Sequence, residues 1–262
     1  MTGWRLGDTD WNSWPDGLDD AATWEQAAQL RLDGIELGVY DAEVELAPAR
    51  LARLARLVAE HEVPVLAVLL SLPAQRWPEG ALSGEVDRLL TQVDATARVC
   101  RALGLDVLGV WPGADPVGAS VAPALRRVIE AAGDVRVALE YKPGTAVATA
   151  QQALELCAQV PGLGVLLDTG HAFANDEDPA AVVELLGDAL LHCHLGDASP
   201  GGDDDDLPCG QVHDFGTLVA ALDASGYTGA ACFDLYGAVS SGTVTGREAV
   251  RASRDHVLSR RQ

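Results

Sequence analysis

The chain has 262 residues, 48% of them apolar and 22% charged, with 39 acidic against 18 basic side chains and a formal net charge of −21. This is the composition of a folded globular chain, and it excludes disordered and collagen-like classes. The acidic balance argues against nucleic acid as a partner, because a duplex binder needs Lys and Arg to neutralise phosphates. No apolar run reaches the ~18 residues of a membrane helix, the longest (63–72) being interrupted by Pro64, so no membrane partner is expected. The opening residues lack a basic region followed by an apolar core, and a cytoplasmic location is the expectation. The five cysteines are widely spaced, without a Cys-x-x-Cys, and read as small buried apolar residues in a reducing compartment. Lys142 is the only lysine.

In chain order, β-rich runs fall at 4–7, 34–40, 63–72, 107–111, 135–141, 164–168, 189–195 and 230–235. Helical patterns occupy about 21–31, 47–61, 84–103, 117–131, 146–158, 178–187, 213–225 and 246–259. In the clearest of them, Val86, Leu89, Leu90, Val93, Ala97 and Cys100 recur near the 3.6-residue period, and Gly104 supplies a stop. Strict alternation of strand and helix implies parallel strands joined by helical crossovers. At this length the natural closure is an α/β fold of the (β/α)8 TIM-barrel type, one domain over residues 1–262. The rival, an open doubly wound sheet, would want a glycine-rich phosphate loop after the first strand, and Gly7-Asp8-Thr9-Asp10-Trp11 offers none. The Gly-Gly-Asp-Asp-Asp-Asp run at 201–206 reads as a solvated loop insertion.

Catalytic groups of a barrel come from the C-terminal ends of its strands. Four consecutive ends, of the fifth to eighth strands, carry ionisable residues: Glu140-Tyr-Lys142-Pro, Asp168-Thr-Gly-His171, His192-Cys-His194-Leu-Gly-Asp197 and Asp234-Leu-Tyr236. Three carboxylates and an imidazole converging on one partly dry mouth repel unless a cation sits among them. The oxygen-rich set Glu140, Asp168, His194 and Asp234 suits one divalent ion, Mn2+ or Mg2+ first, with Co2+, Zn2+ or Fe2+ as alternatives. Strand parity puts Glu140 and Lys142 on one face, with Lys142 higher in the cavity, and sets His192 one layer below His194. Asp168 has a competing role, since Asp-Thr-Gly-His also suits a turn or helix cap. Trp11, Trp14 and Trp111 are candidate apolar walls for a sugar face, with core packing as the competing role. His61 and His256 fall in helical stretches and read as surface residues.

These segments resemble the xylose isomerase-like barrel superfamily, especially ketose 3-epimerases, hydroxypyruvate isomerase and inosose dehydratase. The resemblance follows strand order over most of the chain. It is carried by Leu167-Asp168-Thr-Gly-His171-Ala, by His192-Cys-His194-Leu-Gly-Asp197-Ala, and by Gly226-Tyr227-Thr-Gly229 with Phe233-Asp234. It implies Glu140, Asp168, His194 and Asp234 as metal ligands, Glu140 and Asp234 doubling as the acid/base pair, and His171 as a substrate contact. Glu36, in Gly34-Ile-Glu-Leu, matches an acidic second-strand position of the family, and Glu36, Asp197 and Trp111 join the expected substrate contacts. Glu140-Tyr-Lys142-Pro resembles the Glu-x-Lys-Pro element of xylose and rhamnose isomerases, whose lysine polarises the sugar carbonyl. Two departures stand out. The last ligand is Asp where the family usually has Glu, and the basic residue usual after His-x-His is missing.

The expected activity is therefore a metal-dependent isomerase or epimerase of an unphosphorylated sugar or cyclitol, working by α-proton abstraction or hydride shift at a chelated carbonyl and hydroxyl. A lyase on the same scaffold, dehydrating a keto-cyclitol or cleaving a 3-keto glycoside, is the alternative, and a barrel that binds a ligand or partner without turnover is another. Assembly into a homo-oligomer is left open.

Overall fold

The computed structural model describes residues 3–200 and 205–261. Eight strands close into a barrel in sequence order: β1 (Arg5–Thr9), β2 (Gly34–Val39), β3 (Val65–Ser71), β4 (Val107–Trp111), β5 (Arg136–Glu140), β6 (Leu163–Asp168), β7 (Leu190–Leu195) and β8 (Ala230–Phe233). All pairings are parallel, and β1 completes the ring by pairing with both β2 and β8. Helices between the strands form the outer layer. The β2 and β6 strands are buried along their whole length, as expected of staves covered by helices outside and side chains inside. Outward residues such as Ile35, Leu37, Val165 and Leu167 pack against that layer, while Leu66, Leu69, Ala138, Leu166 and Cys232 fill the interior. Gly34 keeps the interior closed at the bottom, since a Cβ there would stand 2.4 Å from the Pro64 carbonyl oxygen. Among the described residues no helix is long and apolar enough to cross a membrane.

The eight expected strands are all present, with ends differing by one or two residues. Helix 86–103 stops at Gly104, whose left-handed backbone (φ 71°) returns its N–H to the Cys100 and Arg101 carbonyls. Three helices begin later than their hydrophobic pattern. The one expected from 117 starts at Ala122, where Pro123 occupies the first turn and Pro116 is bridged to Thr145. The one expected from 146 starts at Ala150, capped by Thr149. The one expected from 213 starts at Gly216, because His213 is committed elsewhere. Of the acidic insertion, 201–204 lies outside the described residues, while Asp205 and Asp206 are anchored, Asp206 by accepting the Gly237 N–H at 2.8 Å.

Candidate functional site

Strand register assembles the site. Asp168 is the register partner of His194, which is the partner of Cys232 on β8, and Glu140 pairs with Leu166, so the tips of β5 to β8 end at comparable height. Glu140, Asp168 and His194 are buried and present donor atoms all within 4.8 Å of one another. His194 Nδ1 is the hub: Glu140 Oε1 and Asp168 Oδ2 each lie 3.6 Å away and Asp234 Oδ2 3.8 Å away. The capping role of Asp168 is present, its Oδ1 accepting the His171 N–H at 2.9 Å at the start of helix 169–174, while its Oδ2 faces the cluster. Asp234 is held from the other side of the ring. Asn12 bonds the Phe233 carbonyl and the Leu235 N–H, locking the turn after β1 to the end of β8, and Trp11 Nε1–H donates to Asp234 Oδ1 at 2.8 Å. Gly38 makes room for that indole, since a Cβ would stand 2.7 Å from it.

Beneath the cluster, Glu36 Oε2 accepts from His192 Nε2 (2.7 Å) and His194 Nε2 (3.1 Å), all three residues being buried. Burial alone would keep Glu36 neutral, but the two imidazoles and their hydrogen bonds hold its pKa well below the usual carboxylate range. Burial also favours a neutral His194, yet the charge of Glu36 and the nearby Asp168 and Glu140 carboxylates outweigh it and raise the ring's pKa well above the ordinary value. Enclosure of Asp234, with Asp168 and Glu140 adding to it, pushes its carboxyl up to about 6 against the opposing effects of His194 and Trp11.

The donor set fits a divalent cation. With Nε2–H given to Glu36, the buried Nδ1 of His194 has no hydrogen-bond partner and faces three carboxylates. The Nδ1 proton that these acids retain on the ring is the one a cation would displace, so the ring nitrogen and the acid oxygens would take the ion together. Donors sharing a cation at about 2.0–2.2 Å stand roughly 3–3.6 Å apart, close to the separations from His194.

Lys142 Nζ is 3.2 Å from His171 Nε2, and His171 Nδ1 is 3.0 Å from the Tyr141 carbonyl oxygen. Nδ1–H therefore donates to the backbone and Nε2 accepts from the ammonium. Trp111 lies under Lys142, its ring centroid 5.5 Å from Nζ. A cavity of about 250 Å3 opens here, bordered by Glu140, Lys142, His171, Asp234, Trp11 and Trp111 among others.

Two expected substrate contacts are corrected. Glu36 is sealed under the histidines, where it orients His194 instead of facing a ligand. Asp197 is fully buried and accepts from the N–H groups of Ala198, Val212 and His213 and from His213 Nδ1 at 2.7 Å, so it staples the loop after β7. His256, read as a surface residue, is half-buried and accepts the Phe215 N–H. Sequence reasoning missed His213, whose ring also stacks on Phe173 at 3.9 Å, and the cavity residues Tyr40, Asp206 and Tyr236. Only Tyr236 carried a signal, standing two residues beyond Asp234.

The model of the xylose isomerase-like TIM barrel family matches residues 24–258. Among solved structures, the chain is similar to the IolI protein with a bound zinc atom, at 18% identity over 98% of each chain and a TM-score of 0.78. It is similar to an L-ribulose 3-epimerase at 19% identity, covering 98% of this chain and 94% of that one, with a TM-score of 0.76. It is also similar to the probable 3-DHS dehydratase AsbF of Bacillus anthracis, at 15% identity over 100% of each chain and a TM-score of 0.75. No curated protein matches the sequence. At these identities the structural likenesses speak for the fold, and the family match assigns the chain: it belongs to the xylose isomerase-like TIM barrel family.

Proposed function

We propose that this protein is a divalent-metal-dependent isomerase or epimerase of an uncharged polyhydroxy carbonyl compound, a sugar or cyclitol. The observation that carries the reading is the unpartnered, buried Nδ1 of His194 facing Glu140, Asp168 and Asp234. Those four residues would hold the ion, and Mn2+ is the first choice for so oxygen-rich a set. When bound, the ion supplies Lewis-acid polarisation of the substrate's carbonyl and adjacent hydroxyl, which acidifies the carbon-bound proton between them.

The side chains do the proton work. Asp234, one oxygen held by Trp11, would take the α-proton while the ion keeps its carboxylate charged. The C–H electron pair moves onto the carbonyl oxygen to give an enediolate, and the carboxylate becomes a carboxylic acid. Glu140 approaches His194 from β5, away from the β8 side of Asp234. For epimerisation Glu140 starts the cycle as the carboxylic acid and gives its proton to the opposite face of the same carbon, after which Asp234 loses its proton to solvent and Glu140 regains one. For isomerisation the proton held by Asp234 goes to the neighbouring carbon and a hydroxyl proton moves between the two oxygens. Lys142, steadied by His171, donates a hydrogen bond to the oxygen on which charge develops. A lyase would use the same abstraction, then expel a leaving group from the next carbon.

Elemental analysis after mild dialysis tests the site. Roughly one divalent ion per chain, absent from His194→Ala, supports it, and a metal-free protein that stays metal-free on titration overturns it. A panel of ketoses and keto-cyclitols follows. Rearranged product supports the isomerase, loss of water or aglycone the lyase, and unchanged turnover in Glu140→Gln removes that residue from the mechanism.

A further inference from the structure

The cavity mouth is divided by chemistry. Every charged side chain lining it among the described residues comes from β5 to β8 and the loops after them, including Glu140, Lys142, Asp206 and Asp234. The half supplied by β1 to β4 carries no charged side chain; besides Ser71 it presents Trp11, Trp14, Tyr40, Leu69 and Trp111. Three of the chain's six tryptophans and two of its four tyrosines border this one cavity. Trp11 is committed to Asp234 and to an edge contact with His194, 5.7 Å between ring centroids. Trp14 and Tyr40 instead lie tilted against each other at 5.9 Å, and with Trp111 they are only half-buried. The Arg76 guanidinium covers one face of Tyr40 at 4.7 Å without lining the cavity.

A bare sugar suits only half of this mouth. Its hydroxyls find partners on Glu140, Lys142, His171 and Asp234, but a hydroxyl pressed against the ring face of Trp14 or Trp111 would lose water and gain no hydrogen bond. The Ser71 and Tyr40 hydroxyls are among the few polar groups of that half. Partly exposed aromatic faces gain most from another flat ring. Acids outnumber the one lysine around the cavity, and residues 199–206 contain no basic side chain, which disfavours an anionic substituent.

We infer that the substrate is a keto-sugar ring bearing an uncharged aromatic substituent, of the aryl keto-glycoside class, with the polyol over the β5–β8 half and the aryl group against Trp14, Tyr40 and Trp111. The polyol half of this inference rests on the sugar-enzyme reading above; the aryl half rests on the divided lining.

The test is calorimetric titration of the Mn2+-loaded full chain with phenyl and methyl β-D-glucopyranoside. The phenyl compound is expected to bind at least about tenfold tighter. Trp14→Ala and Trp111→Ala, at half-buried positions, should each shrink that ratio severalfold, and Trp14→Phe should restore most of it. Equal affinities for the two glycosides overturn the inference. So does a phenyl preference untouched by both alanine variants, since the ring then binds elsewhere. A phenyl preference that depends on the tryptophans, in a protein that rearranges no sugar, supports the inference while the isomerase reading fails. Turnover of bare ketoses without any aryl preference does the reverse.

Discussion

Glu36 on β2 and His194 on β7 meet across the barrel interior through a 3.1 Å hydrogen bond, although neither strand neighbours the other in the sheet. The same oxygen takes His192 at 2.7 Å, so one carboxylate fixes the tilt of both rings and directs His194 Nδ1 upward toward the acids. Replacing Glu36 by Gln keeps the shape and removes the charge. Metal affinity, measured by titration against a chelator, is expected to fall about 10–100-fold. Unchanged affinity would show that the ring needs no such support.

Lys142 is not among the donor atoms around His194 Nδ1, so its removal should separate catalysis from metal binding. Lys142→Met is expected to keep the metal content of the wild type and lower kcat by roughly 10²–10³-fold, the usual loss for a donor to a developing oxyanion. Metal loss in this variant would place the lysine in the structural support of the centre.

Asp8 supplies a pH test away from the cluster. Burial, with some help from Asp10, pushes its carboxyl up to about 7 against the hydrogen bonds from Asn12 and Thr9. The folded state thus holds a proton that the unfolded chain releases near pH 4, and this contribution to stability is full below pH 4 and lost as pH rises through 7. Each unit of difference corresponds to about 1.4 kcal/mol, so roughly 2–4 kcal/mol disappears between pH 4 and 8. Asp8→Asn cannot ionise, and its urea midpoint should decline less over that range than the wild type's. Parallel pH profiles would remove Asp8 from the balance.

Gly34 faces the barrel interior where a methyl group would meet the Pro64 carbonyl oxygen at 2.4 Å and Leu66 Cγ at 2.5 Å. The carbonyl belongs to the backbone that accepts the Ile35 N–H, so it cannot swing away without breaking that bond. Gly34→Ala is expected to lower stability by about 1–3 kcal/mol in urea unfolding. A neutral result would mean that β2 and β3 shift more freely than their packing implies.

The alternation of strand and helix patterns was enough to specify the eight staves, and period-two parity along each stave was enough to put Glu140 beside Lys142 and His192 below His194. Both are local properties, written in the spacing of residues a few positions apart. The three acids and the histidine at four successive strand ends were legible for the same reason. Partners brought together by closure of the ring, or by the path of the long loop after β7, were not legible. Glu36 with His194, Asp197 with His213, and Trp11 with Asp234 are separated by 158, 16 and 223 residues, and no spacing rule links them. Sequence therefore determined which side chains rise at the barrel mouth. The tertiary structure decided which face the cavity, which are sealed below it, and that all three cavity tryptophans gather on one half, because those choices depend on how distant strands are set around a common axis.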